Sequence, residues 1–176
     1  MSTLLRIDNF APNNIKEIGR VGFDAATGQP VVQADSTQGL ATDDIVFVGR
    51  MGTESAEKLK VLSISGFNIT FTTNLTLIHK RYQPIKSLRG DQIKVYRAAN
   101  VNGSVPDISL FTPLAGMPIS IDPDQDYTDY TDASGSSDYW YRYTYYHSVT
   151  GGETALTDAP AVRGGGYGHY APISEI

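Results

Sequence analysis

The chain has 176 residues, a formal net charge of −5 and no cysteine. Its length fits one large domain or two small ones at roughly 100–200 residues each, and without thiols it has no disulfide staples, thiolate zinc sites or cysteine nucleophiles. The acidic balance and scattered basic residues argue against a nucleic-acid binder, which usually shows a basic face or arm, and no run approaches the ~18 apolar residues of a membrane-spanning helix.

Residues 1–10 lack the basic start and apolar stretch of a secretory leader. The expectation is a protein made in the cytoplasm that acts within an assembled particle. Gly19 to Gly22 and the Gly28-Gln29-Pro30 triplet punctuate the first stretch, and short strands are predicted at 30–34 and 45–48. Residues 53–62 carry a weak helical period but read as a turn leading into a strand over 58–65. Ser65-Gly66-Phe67-Asn68 then makes a hairpin turn between 61–65 and 69–73. Leu75, Leu77 and His79 alternate in a further short segment, followed by 84–87. Five or six short strands in this span predict a small barrel similar to an SH3 or OB fold.

Residues 91–98, DQIKVYRA, alternate cleanly, with Ile93, Val95 and Arg97 on one face. A loop over 100–107 precedes a strand at 108–114, broken at Pro113, and a strand at 117–121. Residues 122–132 read as an acidic loop. The strongest strand is 139–147. Gly151-Gly152 turns into a last strand at 154–156, and 163–176 is a Gly/Tyr-rich tail. The abundance of Tyr (11) and Gly (17) agrees with an all-β chain, because tyrosine suits a pleated surface and glycine its turns.

The 139–147 strand carries the reading of the second half. At period 2, Tyr139, Tyr141, Tyr143 and Tyr145 share one face and Trp140, Arg142, Thr144 and Tyr146 the other. Four stacked tyrosines fill a thin core while each hydroxyl reaches its rim. Ile93-Lys94-Val95-Tyr96-Arg97, Tyr130-Thr131-Asp132, the tyrosine strand and Glu153-Thr154 stand in an order that resembles the second half of a fibronectin type III domain. His147 stands where that family often has Asn, and the family's early Trp strand is not evident upstream of Ile93. The resemblance implies a β-sandwich and says little about function.

In the first half, Asp44-Ile45-Val46-Phe47-Val48-Gly49, Gly52-Thr53-Glu54, Ala56-Glu57, Val61 and a segment ending in His79 resemble the front of tailed-bacteriophage structural proteins. In those proteins a small barrel runs into a DQIKVYR-like strand and a Tyr-rich sandwich. The resemblance implies a virion protein encoded among head, neck and tail genes.

Asp122, Asp124 and Asp126 offer oxygens at alternate positions, but the stretch lacks the glycine and final bidentate Glu of an EF-hand loop, so a solvated turn is expected. His79, His147 and His169 have no partner at metal-ligand spacing; His79 is expected at a strand rim or interface and His147 as a strand-end cap. No Gly-x-Ser-x-Gly elbow or phosphate loop is present. Lys80, Arg81, Lys86 and Arg89 read as a solvated basic edge. Trp140, Arg142 and Tyr146 belong to residue types that dominate binding hot spots. They are expected to contact a partner or to cover the barrel, with a sugar-stacking platform as a rival. Tyr167 and Tyr170 are expected to anchor the tail on a neighbouring subunit.

The resulting expectation is an all-β chain: a barrel over 1–88, a fibronectin type III-like sandwich over 89–162 and a tail over 163–176. Its expected role is non-enzymatic and structural, in a virion, with no cofactor, no metal, no membrane and no specific nucleic acid. Its expected partners are copies of itself in a neck ring and other virion proteins. Capsid decoration, a tail or baseplate role, and a carbohydrate-binding module are the alternatives.

Overall fold

A computed structural model describes residues 2–165. Its strands are β1 (Thr3–Asp8), β2 (Ile15–Arg20), β3 (Val31–Gln33), β4 (Ile45–Val48), β5 (Glu57–Ser65), β6 (Asn68–Phe71), β7 (Pro84–Leu88), β8 (Gln92–Ala99), β9 (Thr112–Pro113), β10 (Ile119–Ser120), β11 (Tyr127–Asp132), β12 (Tyr139–Tyr146) and β13 (Val162–Arg163). Two 3-10 turns, Ile108–Leu110 and Leu156–Asp158, are the only helical pieces among the described residues. None is long or apolar enough to cross a membrane. The described residues are therefore all-β apart from these turns, and every ladder between named strands is antiparallel.

Six strands form one sheet in the order β2-β7-β4-β5-β6-β3. Its two edges curl toward each other and meet at a single bridge, Val21 with Ala34. The Gly22 N–H donates to the Gln33 carbonyl at 2.7 Å beside it. One bridge does not make a ladder, so the sheet curls without closing into a barrel. A second sheet runs β10-β8-β12-β13, with β9 also on β8, and a two-stranded sheet pairs β1 with β11.

The apolar pattern explains this layering. β4 is Ile-Val-Phe-Val, buried at all four positions. A continuous apolar run of this length is what a strand covered on both faces requires. Val46 and Val48 join a core with Val21, Val32, Leu59, Val61, Ile69, Phe71 and Ile85 inside the curled sheet. Ile45 and Phe47 face the other way, into a core with Leu5, Ile7, Leu88, Ile93, Val95, Ile121 and the tyrosines of β12. The two cores share β4 as a common wall.

The structure departs from the sequence reading in several places. β1 and β2 were not anticipated. β1 crosses the expected division at 88/89, pairing along its full length with β11 from Thr3 opposite Asp132 to Asp8 opposite Tyr127. The second half of the expected acidic loop is thus a strand, because Tyr130 and Thr128 turn inward once β1 lies beside them. Residues 108–110 wind into a 3-10 turn, with the Asp107 carboxylate capping the Ser109 N–H, so only Thr112–Pro113 remains a strand. Residues 156–158 also form a 3-10 turn, and the last strand among the described residues is β13. Leu75, Leu77 and His79 form no strand; His79 makes only an isolated bridge to Ala25. Arg163 lies in β13, and Gly164 and Gly165 are buried, so the folded body continues past the expected start of the tail. A Cβ on Gly164 would collide with the Ser136 carbonyl and the Tyr141 ring, which is why glycine stands there.

Candidate interaction face

β12 and β8 pair over eight positions, from Tyr139 opposite Ala99 to Tyr146 opposite Gln92. This register sets two faces. On the inner one, Tyr141, Tyr143 and Tyr145 are buried and Tyr139 is half-buried, as the period of two predicts. The Tyr143 and Tyr145 rings meet edge to face at 5.7 Å, the arrangement the ring quadrupoles favour. The Tyr145 hydroxyl donates to the Asp8 carbonyl, and the Tyr141 hydroxyl donates to Asp132 at 2.8 Å. Asp132 also accepts from Arg97 Nη1 at 2.7 Å and from the Ser134 N–H and hydroxyl. Arg97 lies on the inner face as expected, with its guanidinium 4.1 Å from the Tyr139 ring. Burial alone would raise the Asp132 carboxyl, but the donors from Tyr141, Arg97 and Ser134 hold it below its ordinary value. Burial, reinforced by the Asp132 charge, pushes the Tyr141 phenol up to about 12.

On the outer face, period 2 again brings Trp140, Arg142, Thr144 and Tyr146 together. The three expected contact residues are half-buried, and each has a partner within the chain. Trp140 Nε1 donates to Asn100 Oδ1 at 2.8 Å. Arg142 Nη1 donates to the Ala159 and Leu156 carbonyls at 2.8 and 3.2 Å, and its guanidinium lies 5.3 Å from the Phe111 ring. The Lys94 ammonium sits 4.0 Å over the Tyr146 ring. Thr144 is buried and donates to Glu153 at 2.6 Å, where Tyr96 Oη and Lys94 also converge. The cover on this face comes from the 153–159 loop and Phe111, not from the six-stranded sheet.

An open cleft of about 700 Å³ runs between the two sheets' ends, lined in part by Lys16, Asp44, Arg89, His147, Glu153 and Asp158. No local motif announces it, because its walls come from distant parts of the chain. Lys16 is paired with Asp44 at 2.8 Å. His147 caps the end of β12 as expected: its Nδ1 accepts the Val149 and Thr150 N–H groups at 3.3 and 3.2 Å.

His79 is fully buried rather than at a rim. Its Nε2 lies 2.6 Å from Glu57 Oε1, and its Nδ1 lies 3.1 Å from Gln83 Oε1. The other Glu57 oxygen accepts the Thr76 N–H and hydroxyl. Sequence reading missed this pair because its members lie on different segments, 22 residues apart. Asp122, Asp124 and Asp126 are exposed, and among the described residues no group of three or more His, Cys, Asp or Glu side chains is placed to hold a metal ion. Tyr167, Tyr170 and His169 lie outside the described residues. Compared with known proteins, the chain matches no family model, no curated protein and no solved structure.

Proposed function

We propose that this chain is a structural protein of a tailed-phage virion, a ring-forming component of the neck between head and tail. Its curled six-stranded sheet is read as a divergent, open relative of the SH3/OB-type barrel, and the β8–β12 and β1–β11 layers as a fibronectin type III-like sandwich. The observation that carries the assembly reading is the distribution of apolar surface. Ile18, Phe23, Leu62, Phe67, Ile78 and Tyr82 in the first half, and Val101 and Leu110 in the second, are each more than half exposed. Large apolar side chains left exposed by a fold mark surfaces that other chains can cover, and Phe23 and Tyr82 sit together around Arg81. A ring fits such a surface, because symmetry repeats one modest contact around the assembly.

Mass spectrometry of purified particles tests this reading. The expected result is the chain present at the copy number of a single ring. One copy per capsid subunit would instead make it a decoration protein, and its absence from particles would contradict the virion role. The carbohydrate-binding alternative rests on Trp140 as a stacking platform, and the half-burial of that ring beside Asn100 leaves it little open face.

A further inference from the structure

The turn at Lys80 to Gln83 stands out on the exposed apolar surface. The Gln83 N–H closes it onto the Lys80 carbonyl at 3.1 Å. Its third residue, Tyr82, has φ of 75°. Glycine is the usual occupant of that position, since a side chain there is strained. Yet Tyr82 is 65% exposed, so its ring gains little from the fold in return. The Arg81 guanidinium lies 4.8 Å from the Tyr82 ring and 5.8 Å from the Phe23 ring, which is also exposed. Asp24 fixes the arrangement, accepting the Arg81 N–H at 2.8 Å and the Lys80 ammonium at 2.9 Å. Among the described residues no acceptor bonds the Arg81 guanidinium itself. An arginine held between two exposed aromatic rings, with its N–H groups free and its backbone preset, has the composition and rigidity of a binding hot spot.

The same chain carries a complementary surface. Asp122, Asp124 and Asp126 are exposed and have no cationic partner among the described residues. Their loop is held in place by the Asn9 N–H on the Asp126 carbonyl at 2.9 Å, Asn9 Nδ2 on the Gln125 carbonyl at 2.8 Å and the Gly52 N–H on the Pro123 carbonyl at 2.9 Å. We infer that the Phe23–Arg81–Tyr82 patch of one copy docks onto the 122–126 loop of the next, a head-to-tail contact between unlike surfaces. Such a contact propagates into a ring when its rotation closes. The inference rests on the ring-forming reading and names the contact that makes the ring.

Sedimentation velocity of the full chain over rising concentration tests it. Tyr82→Gly removes the strain together with the ring. It should melt at or above the parent temperature while self-association weakens about tenfold or more, the scale of a hot-spot truncation. A variant that only damaged the fold would lower both. Arg81→Glu and Asp124→Lys should each weaken association, and the double variant should recover part of it. Three results would overturn the inference. One is unchanged association in Tyr82→Gly and Arg81→Glu, with the ring reading intact. Another is loss in Arg81→Glu without any effect of Asp124→Lys, which would place a different acidic partner on the patch. The third is a parent chain that stays monomeric at every concentration. Particle copy number judges the virion reading separately in each case.

Discussion

Two residues show how polar groups are fitted inside this fold. Tyr141 is almost fully buried, and its hydroxyl is spent on Asp132. Replacing it with phenylalanine keeps the ring and removes one donor to a charged acceptor. Denaturant unfolding should show a loss of about 1.5–3 kcal/mol. The parent should also lose stability in alkali. A phenol whose folded value is about 12, against an ordinary 10.0, favours the folded state fully below about pH 10. That contribution disappears as pH rises through about 12. Tyrosinate absorbance followed against pH should rise together with unfolding in the parent, and Tyr141→Phe should show a shallower alkaline loss. At the other core, Glu57 holds His79, Thr76 and Leu77 at once. Glu57→Ala strands a buried imidazole and leaves the part-buried Thr76 and Leu77 N–H groups without their acceptor, and a thermal or denaturant melt should register a loss of about 1–3 kcal/mol. In the parent, burial tends to raise the Glu57 carboxyl, but donors from Thr76, His79 and Leu77 lower it overall. Its contribution is therefore present above its ordinary value of 4.5 and lost as pH falls below it.

At the scale of elements, β1 is the decisive piece. Leu5 and Ile7 lie against the tyrosines of β12, and Arg6 meets Asp129 of β11 at 2.8 Å on the outer side. Removing residues 2–8 should leave β11 without the one ladder partner it has among the described residues and expose the tyrosine column. The truncated chain should bind a hydrophobic dye and lose the near-ultraviolet circular dichroism of its packed tyrosines; a native spectrum would contradict this role. The sequence made β12 and β8 legible because their alternation is long and strong, and His147 as a strand end because the alternation stops there. β1 was harder to read. Leu4, an apolar residue at a half-buried outward position, blurs the polar–apolar alternation of a strand whose burial in fact alternates cleanly, and the polar Asp8-Asn9 that follow cut the pattern short. β11 reads Tyr-Thr-Asp twice, which resembles a loop until a partner more than a hundred residues away supplies its ladder. The outer face of β12 was placed correctly by period 2, but the cover over Arg142 and Tyr146 depends on loop conformations that no local pattern encodes.

For the molecule as a whole, β4 and Asp91 tie the layers together. Phe47 sits between the curled sheet and the tyrosine core, edge-on to Phe10 at 5.5 Å. Asp91 is buried, receives Lys58 of β5 at 2.8 Å and accepts both the N–H and hydroxyl of Ser148 beyond β12. These contacts tie the two layers together, and the surface carries the exposed Phe23–Arg81–Tyr82 group and an acidic loop pinned by Asn9 and Gly52. A body of this kind can assemble by repetition without rearranging its interior. Electron microscopy of the concentrated, purified chain addresses that claim most directly. Class averages should show closed rings of identical subunits, whereas single copies at every concentration, with no ring or arc among them, would contradict the assembly account.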